Sequence, residues 1–107
     1  MSGSGGGGGG FVDVGDVACS NLRLQIQIAT PDPVGIATVL VGMVLTVTLQ
    51  HLGGHQVVAL FNGATRVGGL AGGQVSRLRD CLAAGTNYSA TVQSISGPRV
   101  LVNIEPV

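Results

Sequence analysis

"MVLTVTLQHLGGHQVVALFNGATRVGG", from Met43 to Gly69, decides the fold. Leu45, Val47 and Leu49 alternate with Thr46, Thr48 and Gln50. A period of two marks a strand with one buried face, because successive side chains leave opposite sides of the backbone. The stretch His51-Leu52-Gly53-Gly54-His55 reads as a hairpin connection, and "QVVALF" as the next strand. Asn62-Gly63 predicts a second tight hairpin of type I′, which demands φ > 0 at two successive residues. "ATRVG" is the returning strand. Three consecutive strands joined by short turns make an antiparallel meander.

Upstream, "NLRLQIQIAT" alternates as cleanly. Leu22, Leu24, Ile26 and Ile28 take one face; Arg23, Gln25 and Gln27 take the other. "PDPVG" ends that strand, since neither Pro31 nor Pro33 can sit in a central ladder. A short apolar piece from Ile36 to Val41 follows, and Gly42 permits a turn. Downstream, "RVGGLAGGQVSRLRD" (Arg66–Asp80) passes from strand through a glycine-rich loop into a helix. Val75, Leu78 and Leu82 fall at i, i+3 and i+7 with Cys81 beside them, and Gly85 is placed to end the helix. "NYSATVQSI" and "RVLVNIE" form a last hairpin around "SGP". The expected class is mainly β with one helix (α+β), in the order β-β-β-β-α-β-β. A small, partly open SH3- or OB-like β-barrel would cover edges that so uncharged a chain can hardly leave open. The glycine-rich start, residues 1–17, reads as a flexible leader, and residues 18–107 as a single domain.

Charge narrows the function. Five arginines balance five acids, no lysine is present, and formal net charge is zero. No field favours nucleic acid or an anionic membrane. From Pro33 to Thr65 there is no Lys, Arg, Asp or Glu, but the apolar run within it is shorter than the roughly 20 residues a spanning helix needs. It is rich in Val and Thr and ends in alternation, so strands explain it better than a membrane span. The start lacks a basic segment followed by an apolar one, which makes the cytoplasm the expected location.

The glycine-rich loop lacks the lysine of a phosphate-binding GxxxxGK[ST] motif, and Gly68-Gly69-Leu70-Ala71-Gly72-Gly73 does not fit GxGxxG. A structural turn is expected there. Cys19 and Cys81 cannot make a four-ligand zinc site, and His51 and His55 flank a turn rather than share a helix face. A Cys19–Cys81 disulfide is open, but a cytoplasmic setting favours two reduced, buried thiols. No metal, cofactor or catalytic residue is expected, because no nucleophile, base and orienting group occur at a suggestive spacing. Arg66, Arg77, Arg99 and Tyr88 are the candidates for contacts to single-stranded nucleic acid, with a solvated surface the plainer reading. The outward strand faces remain. Gln25, Gln27, Thr46, Thr48, Thr91 and Gln93 make them neutral and polar, able to dock on protein where their hydrogen bonds are remade.

Two resemblances stand beside this reading. "QVVALFNGATRVGGL", the helix after it and "GTNYSATVQSI" resemble the second half of HIRAN domains, small β-barrels found beside helicases, some of which bind single-stranded DNA ends. The Asn-Pro-x-Asp-like stretch of that family is missing, so no DNA contact is carried over. The whole chain is also similar to short uncharacterised bacterial proteins with a Gly-rich leader. The shared features are Cys19 before the first strand, the strand from Val41-Gly42 to Val47, and the helix end from Cys81 to Gly85. The expectation is a non-enzymatic protein-interaction module, self-assembling as a homo-oligomer or serving as an accessory subunit. The alternative is a HIRAN-like nucleic-acid binder.

Overall fold

A computed structural model describes residues 18–107. The flexible leader expected over residues 1–17 lies outside the described residues. The alternating segments form strands with the expected faces: β1 (Leu24–Gln27), β3 (Val44–Leu52), β4 (His55–Asn62), β5 (Thr65–Leu70), β6 (Tyr88–Ser96) and β7 (Arg99–Pro106). Three short elements add to the expected order, the first a 3-10 turn over Cys19–Asn21 ahead of β1. A two-residue strand, β2 (Thr30–Pro31), follows β1, and a one-turn helix, α1 (Pro33–Ile36), replaces the start of the apolar piece before β3. Pro33 at the first turn of α1 explains that helix start, since proline has the right φ and no N–H to lose. Pro31 lies in an end strand, where its missing donor costs no central ladder bond. The helix α2 (Gly73–Ala83) buries Val75, Leu78 and Cys81, with Leu82 half-buried, as its spacing requires.

Among the described residues, the seven strands join one antiparallel sheet in the order β1-β7-β6-β3-β4-β5-β2. The pairing order is open, yet its two ends are consecutive in the chain. Ile28 donates its N–H to the Val100 carbonyl of β7 at 2.9 Å, and Ala29 donates to the Gly69 carbonyl of β5 at 2.9 Å. In a flat sheet β7 and β5, four strand spacings apart, would lie about 19 Å from each other, so the sheet must curl to bring both within reach of two consecutive residues. Register shifts at Leu60/Phe61 and at Val92/Ser94 supply local twist for that curl. Inside, cross-strand neighbours form continuous apolar rows such as Leu24–Ile104–Ala90–Leu45. All four are buried.

The hairpin turns correct one detail. The only positive φ at the β4–β5 turn belongs to Gly63, with Asn62 still in the strand, so the expected type I′ geometry is not used there. Gly53 and Gly54 both have positive φ and connect the pair Leu52↔His55, so the doubly left-handed turn closes β3–β4 instead.

The glycines after Arg66 are likewise placed differently from a loop. Gly68 and Gly69 lie in β5, fully covered by the segment crossing from β1 to β2. A Cβ on Gly68 would come within 2.5 Å of the Ile28 Cγ2 and 2.8 Å of the Thr30 carbonyl. Only glycine lets the two backbones approach so closely. Gly72, at φ 113°, is the residue that turns the chain into α2.

The cysteines are also corrected. Cys19 and Cys81 are joined by a disulfide across 62 residues, with Cα atoms 5.5 Å apart, rather than standing as two reduced thiols. The bond ties the approach to β1 to the last turns of α2. The Tyr88 hydroxyl donates to the Cys19 carbonyl at 2.5 Å and holds the same corner.

Candidate functional site

The outer surface of β1, β7, β6 and β3 carries the neutral polar residues together. The register sets Gln25 beside Asn103, Asn103 beside Thr91, and Thr91 beside Val44, in one row across four strands. The next row is Gln27, Leu101 and Ser94. Thr46 lies one step along β3, paired with Ser89, and Thr48 follows it opposite Ala59 of β4. Gln93 is the extra residue of the β6 register shift, which frees its side chain from the ladder geometry. It meets Gln25, whose Nε2 donates to the Gln93 Oε1 at 2.5 Å. Gln25, Gln27, Thr46 and Gln93 are exposed, while Thr48 and Thr91 are half-buried.

Two shallow hollows mark this surface. One, of about 400 Å³, is lined by Arg23, Gln25, Gln93, Asn103 and Glu105. The other, of about 210 Å³, is lined by Gln27, Ser94, Ser96, Arg99 and Leu101. Their walls mix amides and hydroxyls with apolar groups, Leu24 and Ile104 in the first and Leu101 in the second, and carry Arg23 and Glu105 in the first and Arg99 in the second. Such a lining offers paired donors and acceptors and little repulsion.

An apolar turn abuts this face. Leu40, Val41 and Val44 are 68%, 64% and 62% exposed. The turn is pinned beside β6, with the Gly42 N–H donating to the Val92 carbonyl and the Val92 N–H to the Met43 carbonyl, both at 2.8 Å. In the sequence Leu40 and Val41 belong to the short apolar piece from Ile36 to Val41. Their lack of alternation was the available sign that they do not share a core-facing strand.

The candidates for nucleic-acid contact are placed otherwise. Arg66 donates from Nε to the Gln50 Oε1 at 3.1 Å and pairs through Nη1 with the Asp32 Oδ2 at 3.4 Å. Tyr88 is buried, so its ring offers no stacking platform. Burial raises its pKa above the ordinary tyrosine value, and the nearby positive charge of Arg77 offsets part of that rise. Arg99 stands at the start of β7, at the rim of the smaller hollow. His51 and His55 are exposed at the β3–β4 hairpin. Among the described residues, no three His, Cys, Asp or Glu side chains are grouped to hold a metal ion, and no helix is long and apolar enough to cross a membrane. Comparison with family models, with curated proteins and with solved structures returned no match, so the functional reading rests on the geometry of this face.

Proposed function

We propose that the domain is a non-enzymatic protein-interaction module that assembles with copies of itself or serves as an accessory subunit. The observation that carries the reading is the neutral row Gln25–Asn103–Thr91–Val44, which runs into the exposed Leu40–Val41 turn. A contiguous apolar patch rimmed by uncharged polar groups suits a protein partner, because desolvating it is cheap and its hydrogen bonds can be remade. The curled sheet is, on this reading, a small partly open β-barrel of SH3 or OB type, which leaves its outer face free to dock. The Cys19–Cys81 disulfide favours an oxidising compartment over the cytoplasm.

Light scattering on the full chain from low to high micromolar, at low and high salt, tests the reading. Mass above that of one chain is expected, with Thr46→Lys lowering it while circular dichroism stays unchanged. A wild type that remains monomeric throughout overturns self-assembly. Salt-dependent binding of a single-stranded oligonucleotide would favour the other functional class.

A further inference from the structure

Of the four asparagines in the chain, Asn62 alone precedes a glycine. An asparagine carboxamide is open to attack by the nitrogen of the next residue, and glycine hinders that approach least because it has no Cβ. Asn62 ends β4 and pairs with Thr65, so Gly63 and Ala64 form the two-residue turn. Gly63 is exposed at φ 60°, and among the described residues its N–H donates to no backbone carbonyl. The nucleophile is thus free of the ladder, but the electrophile is held. The Asn62 Nδ2 donates to the Thr38 Oγ1 at 3.0 Å, and that hydroxyl donates in turn to the Gly35 carbonyl at 2.7 Å. Thr38 has one hydroxyl proton and Gly35 takes it, so Asn62 must present its NH2 group there rather than its oxygen. This relay of two bonds ties the β4–β5 hairpin to α1, where Gly35 meets the Arg66 carbonyl so closely that a Cβ would not fit.

We propose that Asn62-Gly63 is a self-modification site held back by Thr38. When the relay opens, the Gly63 nitrogen attacks the Asn62 Cγ. A bond forms between them and the Cγ–Nδ2 bond breaks. The Gly63 N–H proton leaves with the amide nitrogen as ammonia, and a five-membered succinimide joins positions 62 and 63. Water then opens either carbonyl of the ring and leaves an aspartate or an isoaspartate at position 62. The atoms balance with water in and ammonia out. The product cannot re-form the relay, because a carboxylate has no proton to give Thr38. It also puts a negative charge into the span from Pro33 to Thr65, which has no Lys, Arg, Asp or Glu. The change is irreversible, so it distinguishes old copies of the domain from new ones at the contact between α1 and the hairpin. The site stands whether or not the domain self-assembles.

Incubation of the full chain at neutral pH, followed by mass spectrometry of tryptic peptides, tests this. Cleavage after Arg23 and Arg66 puts Asn62 on a peptide without the other three asparagines. That peptide should gain the mass of an NH2-to-OH exchange and contain isoaspartate, ahead of the peptides carrying Asn21, Asn87 and Asn103. Thr38→Val should speed the gain roughly fivefold, the factor that one neutral hydrogen bond gives a local closing equilibrium. Thr38→Ser keeps the hydroxyl and should retain the wild-type rate. Asn62→Asp should reproduce the product, with faster hydrogen exchange at the Thr38 amide, which donates to the Gly35 carbonyl at 3.0 Å. An Asn62 peptide that reacts no faster than the other three overturns the site. A wild-type rate in Thr38→Val of unchanged circular dichroism, or equal rates for the wild type folded and in urea, overturns the restraint by Thr38. Unchanged exchange in Asn62→Asp overturns the loosening of α1.

Discussion

The segment from Leu24 to Pro31 forms both ends of the sheet, and its two halves are built on different terms. The β2 end is closed in. Ile28 and Thr30 press on Gly68 and Gly69, the Gly69 N–H donates to the Thr30 Oγ1 at 3.2 Å, and the Asp32 N–H, just past Pro31, donates to the Val67 carbonyl of β5 at 2.8 Å. Beyond it, Asp32 accepts from Arg66. Among the described residues the β1 end has no such cover, and Gln25 and Gln27 are exposed on it. The same chain thus invests its close packing where the sheet must bend and leaves its plainest edge where only local alternation is needed. Close packing marks the first end, while the second supplies Gln25 to the neutral row on which the interaction reading rests.

That contrast can be broken most severely at the glycines. Gly68→Val places side-chain atoms inside the Ile28–Thr30 segment and is expected to cost more than about 4 kcal/mol, or to prevent folding, in chemical denaturation. Gly35, buried with the Arg66 carbonyl where its Cβ would go, should behave similarly when changed to Ala. A Gly68→Val protein of wild-type stability would mean the crossing is looser than described.

Removing the disulfide comes next. Cys81→Ser, or reduction of the wild type, frees a 62-residue closure worth about 4 kcal/mol in the chain-entropy account. The denaturation midpoint should fall accordingly, and mass spectrometry of the native protein should find both thiols blocked to alkylation until a reductant is added. Free thiols in protein purified without reductant would contradict the pairing.

Tyr88→Phe deletes the hydroxyl that donates to Cys19 and should cost about 1 kcal/mol. The same residue sets a pH limit. Its folded pKa is raised, so the native state holds the phenolic proton more tightly than the unfolded chain does. That contribution is complete below the ordinary tyrosine pKa and is lost as pH climbs through the raised value. As the chain has one tyrosine, alkaline absorbance reports this group alone. Ionisation at the ordinary pKa in the folded state would show that the ring is not buried.

The smallest effects belong to the exposed groups. The side chains of Arg66 and Asp32 are 29% and 40% exposed, so Asp32→Asn should cost less than about 1 kcal/mol, and less again in high salt. Gln25→Ala should leave stability within about 0.5 kcal/mol. If Gln25→Ala destabilised the monomer as much as Tyr88→Phe, the outer row would be part of the fold's own support and the contrast between the two ends would fade.

Much of this was legible residue by residue. The faces of β1, β3 and β6 follow from alternation, and the buried stripe of α2 follows from Val75, Leu78 and Cys81. The outward set Gln25, Gln27, Thr46, Thr48, Thr91 and Gln93 does sit on outward strand positions. Other features were not legible because they depend on partners distant in the chain. Asn62-Gly63 carried the stronger turn signal, yet the pair Asn62↔Thr65 makes Gly63 and Ala64 the two turn residues, and the doubly left-handed turn went to Gly53-Gly54, where both residues are glycine. Composition alone left the pairing of Cys19 with Cys81 open. The assumed compartment pointed away from it, and only the fold brings their Cα atoms to 5.5 Å.

By itself the sequence determined which side of each strand faces inward, where the long helix lies and which face it buries. These are properties of neighbouring residues, set by backbone periods of two and 3.6 and by local turn chemistry. The tertiary structure alone decided that Ile28 and Ala29 address opposite ends of the sheet, that Gly68 and Gly69 are spacers rather than a loop, and that Cys19 meets Cys81. Those outcomes arise from contacts between residues tens of positions apart. Loop closure, strand register and the space between two backbones select them, and no short stretch of chain encodes them on its own.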